Sequence, residues 1–430
     1  MSSAMQRDIP EGYKQTEVGV IPEDWAVSTI GENTRWSSGG TPNRKRDDYW
    51  EGSIPWISGS TLKTLEISTS DQFITAEGVT AGSNMAPVNS TLLLVRGSAL
   101  HKCIRAGLVT SPVSFNQDVK SLMPTGSVHP RFLTFFIKGM ESELLKLVSS
   151  AGNSAGVLDT LLVKNFKFLK PSFSEQTAIA NALSDVDALI TSLENLITKK
   201  RAIKTAAMQQ LLTGKMRLPP FDKTHTGYKQ TELGEIPGDW SVVKLGNVLE
   251  RIIGGGTPGR SNPAYWGDEI PWVTVKDFAT FDPELSQEYI TKIGLQNSSS
   301  NLVPEGTLIT STRMALGKAV IYDVPVAINQ DLKALFPKKI VSTKFLYYWF
   351  EDNAEIIDEM GSGSTVKGLS LSDLKSIEFR LPSIEEQTAI TKVLDGMDKD
   401  IGSLERRLTK TQQLKQGMMQ ELLTGKTRLV

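Results

Sequence analysis

Residues 172–215 read SFSEQTAIANALSDVDALITSLENLITKKRAIKTAAMQQLLTGK, and residues 383–426 read SIEEQTAITKVLDGMDKDIGSLERRLTKTQQLKQGMMQELLTGK. In the first stretch Ile179, Leu183, Val186, Ile190, Leu193 and Ile197 step by alternating fours and threes; in the second Ile390, Leu394, Met397, Ile401, Leu404 and Leu408 do the same, each 211 positions later. Such a pattern is the heptad seam of a long helix, and here it occurs twice. Both apolar seams then skip six residues, to Ile203 and Leu414, and resume at Ala207, Leu211 and at Met418, Leu422, which predicts a break of phase at the same place in each helix. Ser172 with Glu175, and Ser383 with Glu386, match the S-x-x-E capping box. Gly214 and Gly425 stand where a left-handed cap is wanted. About 40 residues at 1.5 Å each give a helix about 60 Å long, more than one small domain needs.

The duplication extends beyond the helices. GYKQTEVGVIPEDW at 12–25 returns as GYKQTELGEIPGDW at 227–240, and Gly39-Gly40-Thr41-Pro42 returns as Gly255-Gly256-Thr257-Pro258. Tyr49-Trp50 and Ile54-Pro55-Trp56 return as Tyr265-Trp266 and Ile270-Pro271-Trp272. A period of 211 to 216 residues means that the repeated unit is a whole domain with its helix, not a solenoid turn. Strands are predicted at Leu92–Val95 and Thr307–Thr310, and half-buried strands at Phe115–Lys120 and Ile328–Lys333. Short amphipathic helices are predicted at Pro130–Ser149 and Ser342–Met360. Residues 57–90 and 273–302 are barely alike although their flanks match, as expected of two modules that read different ligands on one frame.

These boundaries give a tail at 1–11, an α/β domain at 12–171, a long helix at 172–214, a linker at 215–226, a second α/β domain at 227–381, a second long helix at 382–425 and a tail at 426–430. The linker is short, so the second unit starts near the far end of the first helix and the second helix runs back, bringing Val430 towards Gly12. The expected fold is α+β: a tandem pseudo-twofold duplication whose two α/β domains are separated by two long antiparallel helices forming a coiled coil.

The 430 residues are 39% apolar and 22% charged with a net charge of −1, so any surface for nucleic acid has to come from local asymmetry rather than overall charge. The single Cys103 excludes an intramolecular disulfide and fits a reducing cytoplasm. No apolar run approaches 18 residues and no apolar core follows Met1, so neither a membrane span nor a signal peptide is expected.

Catalytic motifs fail on context. Residues 254–259, GGGTPG, fit G-x-G-x-x-G, but Pro258 sits inside, no amphipathic helix opens there, and the first copy, SGGTPN at 38–43, lacks the outer glycines. Gly425-Lys426-Thr427 resembles the end of a P-loop, but it closes a helix where a P-loop opens one. Asn262-Pro263-Ala264-Tyr265 lacks the second proline of an adenine-methyltransferase N-P-P-Y/F motif and reads as a turn. Asp118-x-Lys120 and Asp331-x-Lys333 offer half of a metal-dependent nuclease site without a second carboxylate in the pattern. His101 and Cys103 are expected on one face of a strand, too few ligands for zinc, and His101, His129 and His225 form no cluster.

Binding chemistry remains. Arg35, Arg44, Lys45 and Arg46 flank the loop of Gly39, Gly40 and Thr41, and Arg260 follows that of Gly255, Gly256 and Thr257. Arg96 and Lys102, with His101 and Arg105, form a second basic group, matched more thinly by Arg313 and Lys318, and Lys276 belongs to the second set. Basic loops among Ser, Thr, Asn and Gln suit phosphate contacts and hydrogen bonds to base edges, so these residues are the candidate DNA contacts. Lys199, Lys200, Arg201 and Lys204 on the first helix have counterparts in Arg406, Arg407, Lys410 and Lys415 on the second, facing either phosphates or acidic partner subunits.

In the order of these motifs, taken twice, the chain resembles the specificity (S) subunits of type I restriction–modification enzymes. The resemblance rests on the GYKQTE-G-IP-DW opening, GGTP with YW and IPW, NQD, the EQTAI helix start and the LLTGK-RL ending. It implies two target-recognition domains, each gripping one half of a split site in double-stranded DNA with an unread gap between, and no catalytic activity, cofactor or metal on this chain. It also implies two modification subunits that methylate adenine with S-adenosylmethionine, and two restriction subunits that translocate and cleave with ATP and Mg. The expected partner contacts are Glu175, Gln176, Lys200, Arg201 and Lys204 on the first helix and Glu386, Gln387, Arg406, Arg407 and Lys410 on the second. The competing readings are a coiled-coil interaction scaffold and a stand-alone nuclease using Asp118 and Asp331.

Overall fold

The computed structural model describes residues 9–151, 155–223, 227–362 and 367–429; most of the tail at 1–11, together with His225 and Val430, lies outside them. The chain divides into two units, Met1–Glu194 with Arg406–Val430, and Asn195–Glu405. Both long helices, Phe173–Leu211 and Ile384–Leu422, have 39 residues and contribute to both units. Each unit is therefore an α/β domain closed by the start of one long helix and the end of the other, rather than a domain with its own helix attached.

Among the described residues of unit 1, a five-stranded sheet runs in the order Thr34–Ser38, Val119–Pro124, Thr91–Leu94, Ala106–Val109 and Glu66–Ile67. A four-stranded sheet follows the order Phe73–Ile74, Trp50–Ile57, Val113–Phe115 and Asn84–Ala86. Unit 2 repeats both as four-stranded sheets, Leu249–Gly254, Leu332–Pro337, Leu308–Ser311, Ala319–Ile321, and Tyr289–Ile290, Trp266–Val273, Val326–Ile328, Asn301–Val303. The stretches with little sequence likeness share the second half of their backbone: Thr75 and Thr291 cap equivalent short helices, Ala76–Gly82 and Lys292–Gln296, by accepting from the amides of Gly78 and Gly294. Between these shared parts the frames differ: Glu66–Ile67 adds the fifth strand in unit 1, where unit 2 has instead the 3-10 turn Val275–Phe278.

Three local expectations change. The half-buried strand around Asn-Gln-Asp is two strands of different sheets joined by a turn, because the Asn116 and Asn329 side chains accept from the amides of Asp118 and Asp331, both at 3.1 Å. The amphipathic helices are broken in two, Pro130–Gly139 with Glu141–Leu145, and Thr343–Asp352 with Ala354–Glu359. His101 ends a short 3-10 turn, Ser98–His101, so it does not share a strand face with Cys103.

The helix pairs run antiparallel within each unit. In unit 1 Asp187 pairs with Lys415 at 2.5 Å and Glu175 with Arg428 at 2.6 Å; in unit 2 Lys204 pairs with Asp398 at 2.7 Å and Lys200 with Asp400 at 3.0 Å. Residue numbers rise on one helix as they fall on the other. Ile179 and Leu183 lie in the core of unit 1 with Leu422 and Leu423, and Ile390 and Leu394 lie in that of unit 2 with Leu211 and Leu212.

The expected break of phase is absent. Ile203 and Leu414, read as the seam after the skip, are exposed, while Lys204 and Thr411 are buried and Lys415 nearly so. Through Lys200 and Lys204, and through Thr411 and Lys415, the four-three alternation continues unbroken. A count of apolar residues misses this because lysine buries its hydrocarbon stem and keeps its charge for a partner.

Candidate nucleic-acid interface

The GGTP loops are built alike in both units. A Cβ on Gly39 would run into the Phe115 carbonyl and one on Gly255 into that of Ile328, while Gly40 and Gly256 are equally crowded. These four glycines, expected among the DNA contacts, are therefore required for packing against the chain's own backbone, and they aim no side chain outward. Thr41 donates to the Gln117 side chain at 2.6 Å and Thr257 to that of Gln330 at 2.7 Å, latching each loop to the Asn-Gln-Asp turn. The Trp56 indole donates to the Gly40 carbonyl at 3.1 Å, as that of Trp272 does to Gly256.

A tryptophan pair carries an arginine in each unit. Trp50 and Trp56 meet edge-on with centroids 5.2 Å apart, and the Arg44 guanidinium lies 4.5 and 5.2 Å from their rings. Trp266 and Trp272 meet at 5.1 Å, with the Arg260 guanidinium at 4.0 and 5.1 Å. The difference is the arginine's partner. Arg44 donates to the neutral Gln72 at 3.3 Å, whereas Arg260 forms a two-point ion pair with Glu288, one arm of which spans 3.0 Å. Those hydrogen bonds hold the Glu288 carboxyl below its ordinary range and make Arg260 harder still to deprotonate.

In unit 1 the ledge opens on a cleft of about 910 Å³ lined by Arg44, Lys63, Arg96, Lys102 and Arg105, with Asp118 the one carboxylate among its described lining residues, while on its other side Arg44 borders a smaller cleft with Asp47, Glu51 and Asp71. The structure thus brings Arg44, Arg96 and Lys102 together. It adds Lys63, which the sequence reading missed because it lies in the divergent stretch. Lys45 is exposed beside the loop; Arg46 is paired with Asp48 at 2.5 Å; Arg35 is exposed on the edge strand Thr34–Ser38. In unit 2 Lys276, Arg313 and Lys318 are all exposed.

Asp118 and Asp331 serve the turns, each accepting at 3.2 Å from the preceding Asn side chain, while Lys120 reaches Ser38 at 2.9 Å and Lys333 the Gln330 carbonyl at 2.8 Å. Among the described residues, no group of three or more His, Cys, Asp or Glu is placed to hold a metal.

The helix starts hold a second repeated cluster. Ser172 and Ser383 cap the helices by accepting from the amides of Glu175 and Glu386 at 3.2 and 3.3 Å. The two carboxylates do not turn back to complete a capping box. Glu175 accepts from the Trp25 indole at 3.0 Å and from Arg428, which also forks onto Asp24 at 2.8 and 2.9 Å. Glu386 accepts from Trp240 at 2.9 Å and from Arg217, which forks onto Asp239 at 2.8 and 3.0 Å. Hydrogen bonds to Glu386 and Glu175 hold the two guanidiniums still more firmly charged.

Gly214 and Gly425, both at φ +74°, let the chain turn back over Pro237 and Trp240 in unit 2 and over Pro22 and Trp25 in unit 1. The turn returns Arg217 and Arg428 to these clusters, so the segments read as linker and tail are structural parts. The C-terminal segment also reaches Tyr13, whose hydroxyl donates to the Gly425 carbonyl at 3.1 Å.

This placement corrects the expected partner contacts. Glu175, Gln176, Glu386 and Gln387 are fully buried. Gln176 accepts from the His129 amide and Gln387 from that of Ser342, both at 2.8 Å, tying each long helix to a short one. Lys204 is buried between Glu351 and Asp398 at 2.9 and 2.7 Å. Lys200 and Arg201 are engaged with Asp400 and Glu405 nearer the surface, while Arg406, Arg407 and Lys410 are exposed.

The family model described as the type I restriction modification DNA specificity domain matches twice, over residues 22–204 and 237–416. The chain belongs to this family. Over 436 residues it is 26% identical to the type I restriction enzyme MjaVIII specificity subunit of Methanocaldococcus jannaschii, covering 97% of this chain and 96% of that one. It is 32% identical over 189 residues to the EcoR124I/EcoR124II specificity subunit of Escherichia coli, covering 44% and 45%. Its fold is that of the S subunit crystal structure from M. genitalium, with a TM-score of 0.58, 17% identity, and coverage of 93% of this chain and 96% of that one. Each of the two family matches takes in one GGTP ledge and one helix start. No helix among the described residues is long and apolar enough to cross a membrane.

Proposed function

We propose that this chain is the DNA-reading subunit of a type I restriction–modification assembly, each unit reading one half of a bipartite site in double-stranded DNA. The observation that carries this reading is the repeated arginine-on-tryptophan ledge, held on one frame and surrounded by side chains that differ between the units. A ledge repeated in both units with neighbours that differ between them suits a shared grip on the phosphate backbone and separate readout of base edges. The chain supplies no chemistry of its own in this account. Two modification subunits with S-adenosylmethionine methylate adenine, and two restriction subunits use ATP and Mg for translocation and cleavage. The exposed Arg406, Arg407 and Lys410 are the helix residues left to meet an acidic partner surface. No observation favours the scaffold or the nuclease reading.

The test is a genome-wide map of N6-methyladenine in cells with an active modification subunit, with and without this gene. The expected result is a two-part motif with a fixed unread gap that disappears with the gene. An unchanged map would refute the assignment.

A further inference from the structure

The two ledges are superposable in kind but not in charge. In both, a guanidinium sits within cation–π distance of two indoles, an arrangement that orders the side chain before any ligand arrives. In both, a threonine latch and a crowded glycine pair fix the loop beneath it. The residue that meets the guanidinium is Gln72 in one unit and Glu288 in the other, at equivalent places just before the strands Phe73–Ile74 and Tyr289–Ile290. A guanidinium has five N–H donors. Gln72 uses one of Arg44's and forms no ion pair with it, so Arg44 stands between the cleft that presents Lys63, Arg96, Lys102 and Arg105 and a second cleft on its other side lined by Asp47, Glu51 and Asp71, none of which takes its fork as Glu288 takes that of Arg260. Glu288 occupies the fork of Arg260 and neutralises it.

We propose that the Arg44 ledge and its cleft form a phosphate-binding subsite for the DNA backbone, and that the residue at position 72 or 288 sets whether each ledge is open to phosphate or closed by its own carboxylate. This rests on the DNA-reading function proposed above. A phosphate binds the free fork of Arg44 through two parallel N–H···O bonds and is assisted by the neighbouring cations. At Arg260 the same phosphate has to displace Glu288 and approach its negative charge. Unit 1 therefore makes at least one more backbone contact than unit 2 at this place, and its binding is the more salt-dependent.

The test is equilibrium binding of the full chain to sheared genomic duplex DNA over a series of KCl concentrations, for wild type, Gln72→Glu, Glu288→Gln and the double variant. Each released phosphate contact changes the slope of log K against log salt by about one. Gln72→Glu is expected to flatten the slope by about one and weaken binding about tenfold at low salt; Glu288→Gln is expected to steepen it by about one, and the double variant to return near wild type. Both changes are nearly isosteric at half-buried sites, so melting temperatures should change little. Wild-type binding with slopes unmoved by either substitution overturns this proposal while leaving the DNA-reading function standing. If wild type shows no salt-dependent binding to duplex DNA, the DNA-reading function itself fails, and this proposal fails with it.

Discussion

Unit 1 and unit 2 agree where the chain holds its helices and disagree where it faces outward. The Trp25–Glu175–Arg428–Asp24 cluster and the Trp240–Glu386–Arg217–Asp239 cluster match group for group. One layer further along, the match loosens. Lys204 lies between Glu351 and Asp398 and 5.2 Å from the Tyr348 ring, whereas Lys415 has Asp187 and the Phe135 ring at 5.7 Å, with Lys138 where unit 2 has Glu351. Burial, and after it the charge of Lys415, pull the Lys138 pKa down. At the ledges the partner changes from Gln72 to Glu288. Duplication has thus preserved the buried charge network that needs every member, and released positions where water or a ligand can stand in.

If the shared seam is a spacer, the largest change should come from altering both copies together. Inserting seven residues after Ile197 and after Leu408 keeps Lys204 and Lys415 on the seam, and should lengthen the unread gap in the methylated motif by a few base pairs. The methyladenine map reads this directly; an unchanged gap would remove the spacer role.

Removing a shared cluster member comes next. Glu386→Ala leaves the Arg217 guanidinium, 7% exposed, without its main partner, and should cost about 3 to 5 kcal/mol in urea unfolding. Glu175→Ala should cost less, because Arg428 is 23% exposed and water reaches it. Equal losses would show that the difference in exposure has no energetic weight.

A smaller effect tests the loosened layer. Lys138→Glu gives Lys415 the second acid that Lys204 already has, and should stabilise unit 1 by about 1 kcal/mol, seen as a higher melting temperature. A loss of stability would mean that Lys138 serves a role with no counterpart in unit 2.

The smallest effect concerns His129, whose counterpart is Ser342. Burial, and then the nearby charge of Arg131, lower the His129 pKa. The unfolded chain therefore takes up the proton at a higher pH than the folded one. The stabilisation is complete above the ordinary histidine value of about 6.5, and falls as pH drops from there towards the folded value. His129→Ser should abolish that part of the acid sensitivity of thermal melting. Sensitivity that persists unchanged would place its origin elsewhere.

The architecture was legible because duplication writes the same residue types twice at a fixed offset, and because apolar spacing marks the helices. What escaped has physical reasons. Lys204 and Lys415 are polar by type and buried by stem, so the seam looked broken. Glu175 and Glu386 fit a local capping pattern, but their partners Trp25 and Trp240 lie about 150 residues away, beyond any local rule. Arg217 and Arg428 sit in segments whose composition suggests linker and tail. Arg44 and Arg260 stand beside a repeated motif, while Gln72, Glu288 and Lys63 fall in the divergent stretches, where the two copies share no motif.

The matched anchor clusters also make the units interchangeable in principle, and that supplies the most direct test. In a full chain whose residues 12–171 are replaced by residues 227–381, Trp240 takes the place of Trp25 against Glu175 and Arg428. The methyladenine map of cells carrying this chain should show a motif whose two halves hold the same bases, those now read by unit 2. A map that keeps the original two different halves would contradict the claim that each unit reads its own half-site.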